Sequence, residues 1–575
     1  MSTSQPVGAP PDDATYSHRQ IMTILSALLM GMFLAALDQT VVSTAIRTIG
    51  DDLHGLSVQA WVTTAFLITS TIATPLYGKL SDIYGRKQFF TLAVALFVIG
   101  SALCGTAQSM YMLAAFRAFQ GLGAGGLFSL ALAIIADIIP PRERAKYQGY
   151  FMAVFATSSV LGPLVGGFLA GQSSILGLAG WRWIFWINVP LGAATLVVIA
   201  RALRLPARHI PQRIDWGGAV ALILGLVPLL IVAEQGRTWG WGSAGAITCY
   251  VIGVAGIAGF CAIEMRMGSA ALIPFRLFRS SNFATGSVLS FILGIGMFGG
   301  ILTLPLYLQL VKGASPTQSG LLMLPLVAGL MGSSLAAGQF TSRTGKYRWL
   351  PVVGTGIMVV GLLLLHGVGA DTSLAVTDVF MFVFGAGLGM CMQTVVLAMQ
   401  TAVPASNIGV ATSSATFFRQ VGGTAGTAIF LSILFSTVGG KVKSAYTAAF
   451  AGSDPKFTAA VNNPAVLAKP ANASFVNGLK NPARSSIDLN DTRFLSRLDA
   501  AIAHPFQVGF SQAMDNVFLF ATGALAVGFL VSLALKQIAL RTTSGDAAAK
   551  DETAAAAVTG HPQGEAAVDA TAAPH

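Results

Sequence analysis

Apolar runs of roughly twenty residues recur along this chain, separated by short loops that hold most of the charge. That length is about what a helix needs to cross the hydrocarbon core of a bilayer. Only 10% of the 575 residues are charged, against about 25% in a typical soluble domain. So few charges cannot cover a water-facing surface, and the surface must meet lipid. Backbone polar groups in lipid have to be satisfied internally, which leaves helices or closed barrels. The alternating ten-residue strands of an outer-membrane barrel are absent from the sequence. The expected fold class is therefore an all-α polytopic membrane protein.

Fourteen spans are read at 20–43, 57–79, 88–107, 110–137, 147–170, 181–202, 217–235, 244–264, 283–310, 317–340, 349–367, 376–400, 407–436 and 513–538. An even number puts both ends on one side. Most basic residues fall in loops on that side, among them Lys79, Arg86, Lys87, Arg142, Arg144, Lys146, Arg343 and Lys346. The positive-inside rule makes both termini cytoplasmic. It also accounts for the net charge of +11 without invoking nucleic acid. Asp12 and Asp13 before a long first run argue against a cleaved leader. Residues 1–19 and 542–575 read as cytoplasmic tails, the second Ala-rich and expected to be disordered. Residues 437–512, rich in Ala, Asn, Ser and Lys, read as a long outer loop. Asn472-Ala-Ser within it matches a glycosylation sequon, a pattern short enough to arise by chance. The four cysteines, Cys104, Cys249, Cys261 and Cys391, all sit in apolar runs, and no structural disulfide is expected.

The halves of the chain share a repeat. GKLSDIYGRK (78–87) aligns with GQFTSRTGKY (338–347), so that Gly78 matches Gly338, Gly85 matches Gly345 and Arg86 matches Lys346, while Ser342 replaces Asp82. Both copies join a second and a third span. The organisation is then a six-span bundle (20–202), a two-span insert (217–264) and a second six-span bundle (283–538, including 437–512). Repeats related by an axis along the membrane normal are a transporter architecture, with the site at their interface.

Four stretches in order carry a family likeness: LDQTVVSTAI (37–46), GKLSDIYGRK (78–87), RAFQGLGAGG (117–126), and LGPLVGGFLAG (161–171) followed by WRWIFWINVP (181–190). Together they resemble the signatures of the major facilitator superfamily, and with fourteen spans most of all its drug:proton antiporters, although Ser43 stands where Asn is usual. The resemblance implies two pseudo-symmetric six-helix bundles. It implies that the 78–90 loop stabilises an outward-open state, and that the fifth span bends and packs across the interface on the tenth.

Candidate residues follow. Gly78 and Gly85 permit a tight turn, and Arg86 can reach either Asp82 in the loop or Asp137 at the end of the fourth span, forming a latch. The plain alternative is a topology anchor. Asp38 and Arg117 lie inside spans, where each costs about 2.5–3.5 kcal/mol at a helix centre. At 1.5 Å per residue both fall roughly 27–30 Å from the cytoplasmic ends of their helices, so they share a depth. Gln39 and Gln120 stand beside them as an amide shell. Arg419, roughly 18 Å into span thirteen, suits an anionic headgroup, a carboxylate partner or neighbouring carbonyls. Gly162, Pro163, Gly166 and Gly167 provide a small, bent helix face, and span ten offers Ala328, Gly329, Gly332, Ser333, Ala336 and Ala337 opposite it.

No GxxxxGK[ST] loop, HExxH or GxSxG elbow is present, so neither ATP nor an enzymatic centre is indicated. No cofactor or metal is expected. The remaining power source is an ion gradient, worth about 2.3 kcal/mol per charge per 100 mV. The expected function is proton-coupled export of lipophilic, often cationic, compounds across the cell membrane. The implied partners are a small lipophilic substrate or lipid, protons and membrane lipids. The alternative is an exporter of a lipid or cell-envelope amphiphile on the same fold.

Overall fold

The computed structural model describes residues 17–54, 60–140, 143, 145–203, 215–480 and 492–540. Most of the 1–19 tail and all of the 542–575 tail lie outside the described residues. The first bundle comprises α1 (His18–Asp52), α2 (Ala60–Tyr84), α3 (Arg86–Gly105), α4 (Met110–Ile138), α5 (Ala145–Gly171) and the pair α6 (Arg182–Trp186) and α7 (Asn188–Ala202). The insert is α8 (Trp216–Trp239) and α9 (Ala244–Met267). The second bundle comprises α10 (Ser281–Leu310), α11 (Pro316–Leu322) with α12 (Leu324–Thr344), α13 (Trp349–His366), α14 (Leu374–Thr401), α15 (Ile408–Ala448) and, after three short helices, α19 (Ala500–Ser532). The short helices are α16 (Pro455–Val461), α17 (Pro464–Leu467) and α18 (Pro470–Lys480).

Among the described residues, twelve helical stretches are long and apolar enough to cross a membrane. The expected count of fourteen is not confirmed. The stretches 57–79 and 147–170 form the long helices α2 and α5 but are not among the twelve. Thr and Ser recur in α2 at Thr63, Thr64, Thr69, Ser70, Thr71 and Thr74 and lower its hydropathy, while several side chains of α5 lie outside the described residues. Both helices pack against elements of the other half, α2 on α15 and α5 on α12. Several of their polar groups are buried against protein, Thr64, Ser70, Thr71, Thr74 and Ser158 among them.

Lipid tails offer no hydrophobic drive for helix association, so close backbone approach has to supply it. Glycines do this with one pattern in both halves. On α4, a Cβ added at Gly121 would strike the Phe66 carbonyl of α2, and one at Gly125 the Ser70 carbonyl. Gly123, between them, abuts Ala93 and Phe97 of α3. On α14, Gly385 and Gly389 stand against the carbonyls of Leu326 and Leu330 of α12, and Gly387 against Gly354 and Met358 of α13. The same i, i+2, i+4 triplet thus clamps the second and third helices of each bundle onto the fourth. It extends the repeat read from the 78–87 and 338–347 loops.

Residues 437–512 are not an extended loop. α15 continues to Ala448, α19 begins at Ala500, and α16–α18 fold between them. Aromatic side chains hold this cap together. Tyr446 lies 5.8 Å from Phe457 and 5.7 Å from Phe475, Phe494 stacks on Phe475 at 5.3 Å, and Phe506 meets Phe494 at 5.9 Å. His504 meets Asp454 of the cap at 2.6 Å and Asp371 of the α13–α14 connection at 3.3 Å. Burial pushes the Asp454 carboxyl up, but hydrogen bonds from His504 and from the Phe457 and Lys456 amides outweigh it and hold Asp454 below the ordinary carboxylate range. Asn472 of the sequon is fully buried. It donates to Val466 O at 2.8 Å and accepts from the Asp499 amide at 3.0 Å, which makes it a structural residue with no room for a glycan.

Phe457 is 1% exposed at the centre of the cap. Phe457→Ala should cost about 3–5 kcal/mol locally. Limited proteolysis should then cut between residues 449 and 500 while the bundle helices stay protected; unchanged protection would show that the cap is not a cooperatively packed unit.

Candidate functional site

Asp38 and Arg117 come together as their shared depth requires. Arg117 Nη1 lies 2.5 Å from Asp38 Oδ2 and donates at 2.8 Å to Gln120 Oε1. Gln120 Nε2 donates to Asp38 Oδ1 at 3.1 Å, and Asn188 Nδ2 reaches the same oxygen at 2.8 Å. Asn188 also donates to Ser101 Oγ at 2.9 Å, whose own proton goes to the Phe185 carbonyl. The Arg117 guanidinium carbon sits 4.0 Å above the Phe66 ring. Asp38 is 1% exposed and Arg117 2%. A buried ion pair is tolerated only when its remaining lone pairs and protons are met. Here α1, α4 and α7 supply a nearly complete set, leaving Arg117 Nε and Asn188 Oδ1 without a bond among the described residues.

Gln39 does not join this group. Consecutive helical residues point about 100° apart, and Gln39 is exposed where Asp38 is buried. Asn188, Ser101 and Phe66 were not singled out from the sequence. Asn188 closes the aromatic run WRWIFWIN at the start of α7, and nothing in that local sequence points to Asp38.

At the end of the bundle where α2 gives way to α3, Arg86 holds both of its expected partners. Nη1 lies 2.5 Å from Asp82 Oδ1, Nε donates to Asp137 Oδ2 at 2.7 Å, and Nη1 also donates to Ser81 Oγ at 2.6 Å. Gly85 turns the chain with φ +105°, a conformation that glycine adopts without strain. The group reaches across to the second bundle. Asp82 Oδ2 accepts from the Val410 amide at 3.2 Å, so a carboxylate faces the positive N-terminal end of α15. Gly409 and Gly78 make this possible. A Cβ on Gly409 would collide with Asp82 and Arg86, and one on Gly78 would collide with Ser413.

The matching loop of the second bundle works differently. Gly345 is left-handed with φ +70°. Tyr347, Asn282 and Gln537 form a neutral network with the chain beyond α19: Asn282 Nδ2 to Lys536 O at 2.8 Å, Gln537 Nε2 to Gly345 O at 3.0 Å, and the Ile538 amide to Tyr347 Oη at 3.2 Å. This loop is fastened within its own half.

The small face of α5 meets α1 rather than α12. Cβ atoms on Gly162 and Gly166 would run into Thr40 and Val41, and Thr40 Oγ1 donates to Ser158 O at 3.0 Å. Gly167 has open space around it. The Pro163 backbone continues the helix, and its side chain is outside the described residues. On α12, Gly329 is taken up by the Phe382 carbonyl of α14. The α5–α12 contact is present, but the glycines expected to build it seal each half internally instead.

Arg419 of α15 is partly exposed and pairs with no carboxylate among the described residues. Next to it, Gln420 Oε1 accepts from Thr74 Oγ1 of α2 at 3.2 Å, a direct bond between the halves at mid-bundle.

Residues 28–427 match the model of the Major Facilitator Superfamily. An uncharacterized MFS-type transporter of Mycobacterium tuberculosis is 37% identical over 91% of this chain and 71% of its own length. The multidrug transporter protein MdtP of Bacillus subtilis is 32% identical over 93% of this chain and 96% of its own. Among solved structures, a bacterial homolog of the human lysosomal transporter Spinster, inward-facing and unoccupied, aligns with a TM-score of 0.51 at 18% identity, over 90% of this chain and 98% of that one. At that identity the likeness concerns the fold alone. With two clamped bundles, a glycine-lined loop latch and a match across most of its length, this chain belongs to the major facilitator superfamily and is a multi-pass membrane transporter.

Proposed function

We propose that this transporter is a proton-coupled antiporter that exports lipophilic, often cationic, compounds across the cytoplasmic membrane by alternating access, with fourteen crossings and both termini in the cytoplasm. The observation that carries the reading is the Asp38–Arg117 pair, an acid and a base held together out of water and tied by Asn188 and Gln120 to three helices. Every neighbour of the Asp38 carboxylate donates to it. A proton arriving on Asp38 removes the charge that Arg117 balances and the acceptor that Gln120 and Asn188 use. Breaking one side of a buried pair costs about 3–5 kcal/mol, so the protonated state favours an arrangement of α1, α4 and α7 in which Arg117 finds other company. That link between proton occupancy and helix packing is what an antiporter requires. The relatives' names, a multidrug transporter among them, agree with drug-like cargo.

The Arg86 group supplies the second element. It joins α2 and α4 to the first turn of α15, across the two bundles. In the proposed cycle it closes the cytoplasmic side while the outer side is open, and it parts when the bundles rock. Export of a lipid or envelope amphiphile is the second reading. It is favoured by the unpaired Arg419 and by the folded outer cap, which stands where a lipid would be handed on.

Two measurements test the proposal. In everted vesicles energised by a pH gradient, Asp38→Asn should cut gradient-driven ethidium transport roughly tenfold or more, in line with the ~5–150-fold that couplings of 1–3 kcal/mol produce. Full coupled transport in that variant removes Asp38 from the coupling role. Arg86→Ala leaves Asp82 and Asp137 buried together without their cation. Transport should fall by roughly a hundredfold if the latch is worth about 3 kcal/mol, with normal insertion into the membrane; wild-type rates would reject the latch.

A further inference from the structure

Arg419 is the residue whose environment the Asp38 pair and the Arg86 group leave unexplained. It lies about 16 Å along α15 from Ile408, near mid-bundle. A cation at that depth costs about 2.5–3.5 kcal/mol on insertion scales and is normally paired. Among the described residues Arg419 has no hydrogen bond, ion pair or ring contact, and no charged group lies close enough to act on it. In the first bundle, the deeply placed Arg117 is neutralised by Asp38, and Arg86 at the bundle's end by Asp82 and Asp137.

Nor does Arg419 escape to lipid. No residue of α15 from Ile408 to Phe435 is fully exposed. The neighbours on its own face, Ala415, Thr416, Gly422 and Gly423, are all buried. Part of its side chain is nonetheless left uncovered by protein. One turn further along, Gly422 and Gly423 bring α15 against Phe291 and Phe298 of α10, and both rings are themselves partly exposed. A guanidinium without a partner, one helical turn from the Phe298 ring that packs on Gly423, matches one ligand chemistry, an apolar body carrying a carboxylate or phosphate. The planar fork of an arginine meets such a group with two parallel hydrogen bonds.

We propose that Arg419 is an anion-binding group within the bundle and that this transporter takes acidic amphiphiles there. The inference deepens the second reading of the transport function, export of an amphiphile, by naming an acidic substrate class, and depends on it only for export, not for binding. The shared chemistry has two sources, a free amphipathic acid or the headgroup of an anionic membrane lipid.

The test uses the full chain purified into phosphatidylcholine nanodiscs, with radiolabelled cholate as the acidic probe and ethidium as the cation. Binding needs no gradient, so a failure of proton coupling leaves this result untouched. Wild type should bind cholate saturably, and Arg419→Gln should weaken that binding roughly tenfold to a hundredfold, the loss expected for a charge-assisted contact. Arg419→Lys, which keeps the charge and loses the fork, should fall in between. Ethidium should bind the Gln variant more tightly than wild type, because a repelling charge is gone. Phosphatidylglycerol in the disc that competes with cholate in wild type, but not in the Gln variant, identifies a lipid headgroup as the occupant; absence of competition identifies a free acid. Equal cholate affinity in wild type and Arg419→Gln, or loss of cholate and ethidium binding together in both variants, overturns the assignment. Should the Gln variant fail to insert, the Lys variant decides: weaker cholate binding with unchanged ethidium binding supports the assignment, and equal cholate affinity or equal loss of both overturns it.

Discussion

The cost of placing charge inside an apolar bundle organises this molecule. Water can repay an ion's solvation at a protein surface, but here protein groups must do it. Asp38 and Arg117 repay one another, with Gln120, Asn188 and the Phe66 ring completing the shell. Asp82, Arg86 and Asp137 form a triad that carries net negative charge, and the surplus is directed at the N-terminal end of α15. The first arrangement is closed within one bundle and the second is completed only by the other. Changing the protonation of one and the distance across the other are therefore separate physical events, joined by α4, which carries both Arg117 and Asp137. α4 is also clamped on two sides, by Gly121, Gly123 and Gly125. A rigid helix transmits a displacement at one end to the other, whereas a loosely packed one would absorb it.

Much of the fold was legible because helices in lipid leave few choices. Run length gave the helices, and the two glycine-basic loops gave the halves. The latch could be read because its residues sit in one loop and at one helix end, and Asp38 could be matched to Arg117 by counting rise along antiparallel helices. What could not be read depends on azimuth or on distant chain. Gln39 was misjudged because nearness in sequence ignores the 100° step that turns it away from Asp38. Asn188 reaches Asp38 from a helix far along the chain, and nothing in its local sequence marks that. The Val410 amide is a backbone group, invisible to any reading of side chains. The cap was taken for a loop because its Ala and Asn content resembles linker. Its few aromatics, Phe457, Phe475, Phe494 and Phe506, form a core only after the chain has folded back. The glycines of α5 were assigned to the wrong neighbour, since a small face says that something approaches closely and not what.

The repeat has consequences for mechanics because it is imperfect. The glycine clamps are the same in both bundles, so both are stiff in the same way. The loops are not the same. The first loop is ionic and grips the opposite bundle, while the second is neutral and grips its own, through Asn282, Tyr347 and Gln537. Two cross-bundle latches at the same end would hold that end shut at twice the cost of opening. Among the described residues, the charged contact at Gly409 and Val410 is a polar tie between the bundles at that end. Partway along the interface, among the described residues, the halves meet through the neutral bond Thr74 to Gln420, worth about 0.5–1.5 kcal/mol net. Ser342 in the position of Asp82 leaves the second loop without the acid through which the first loop reaches the opposite bundle.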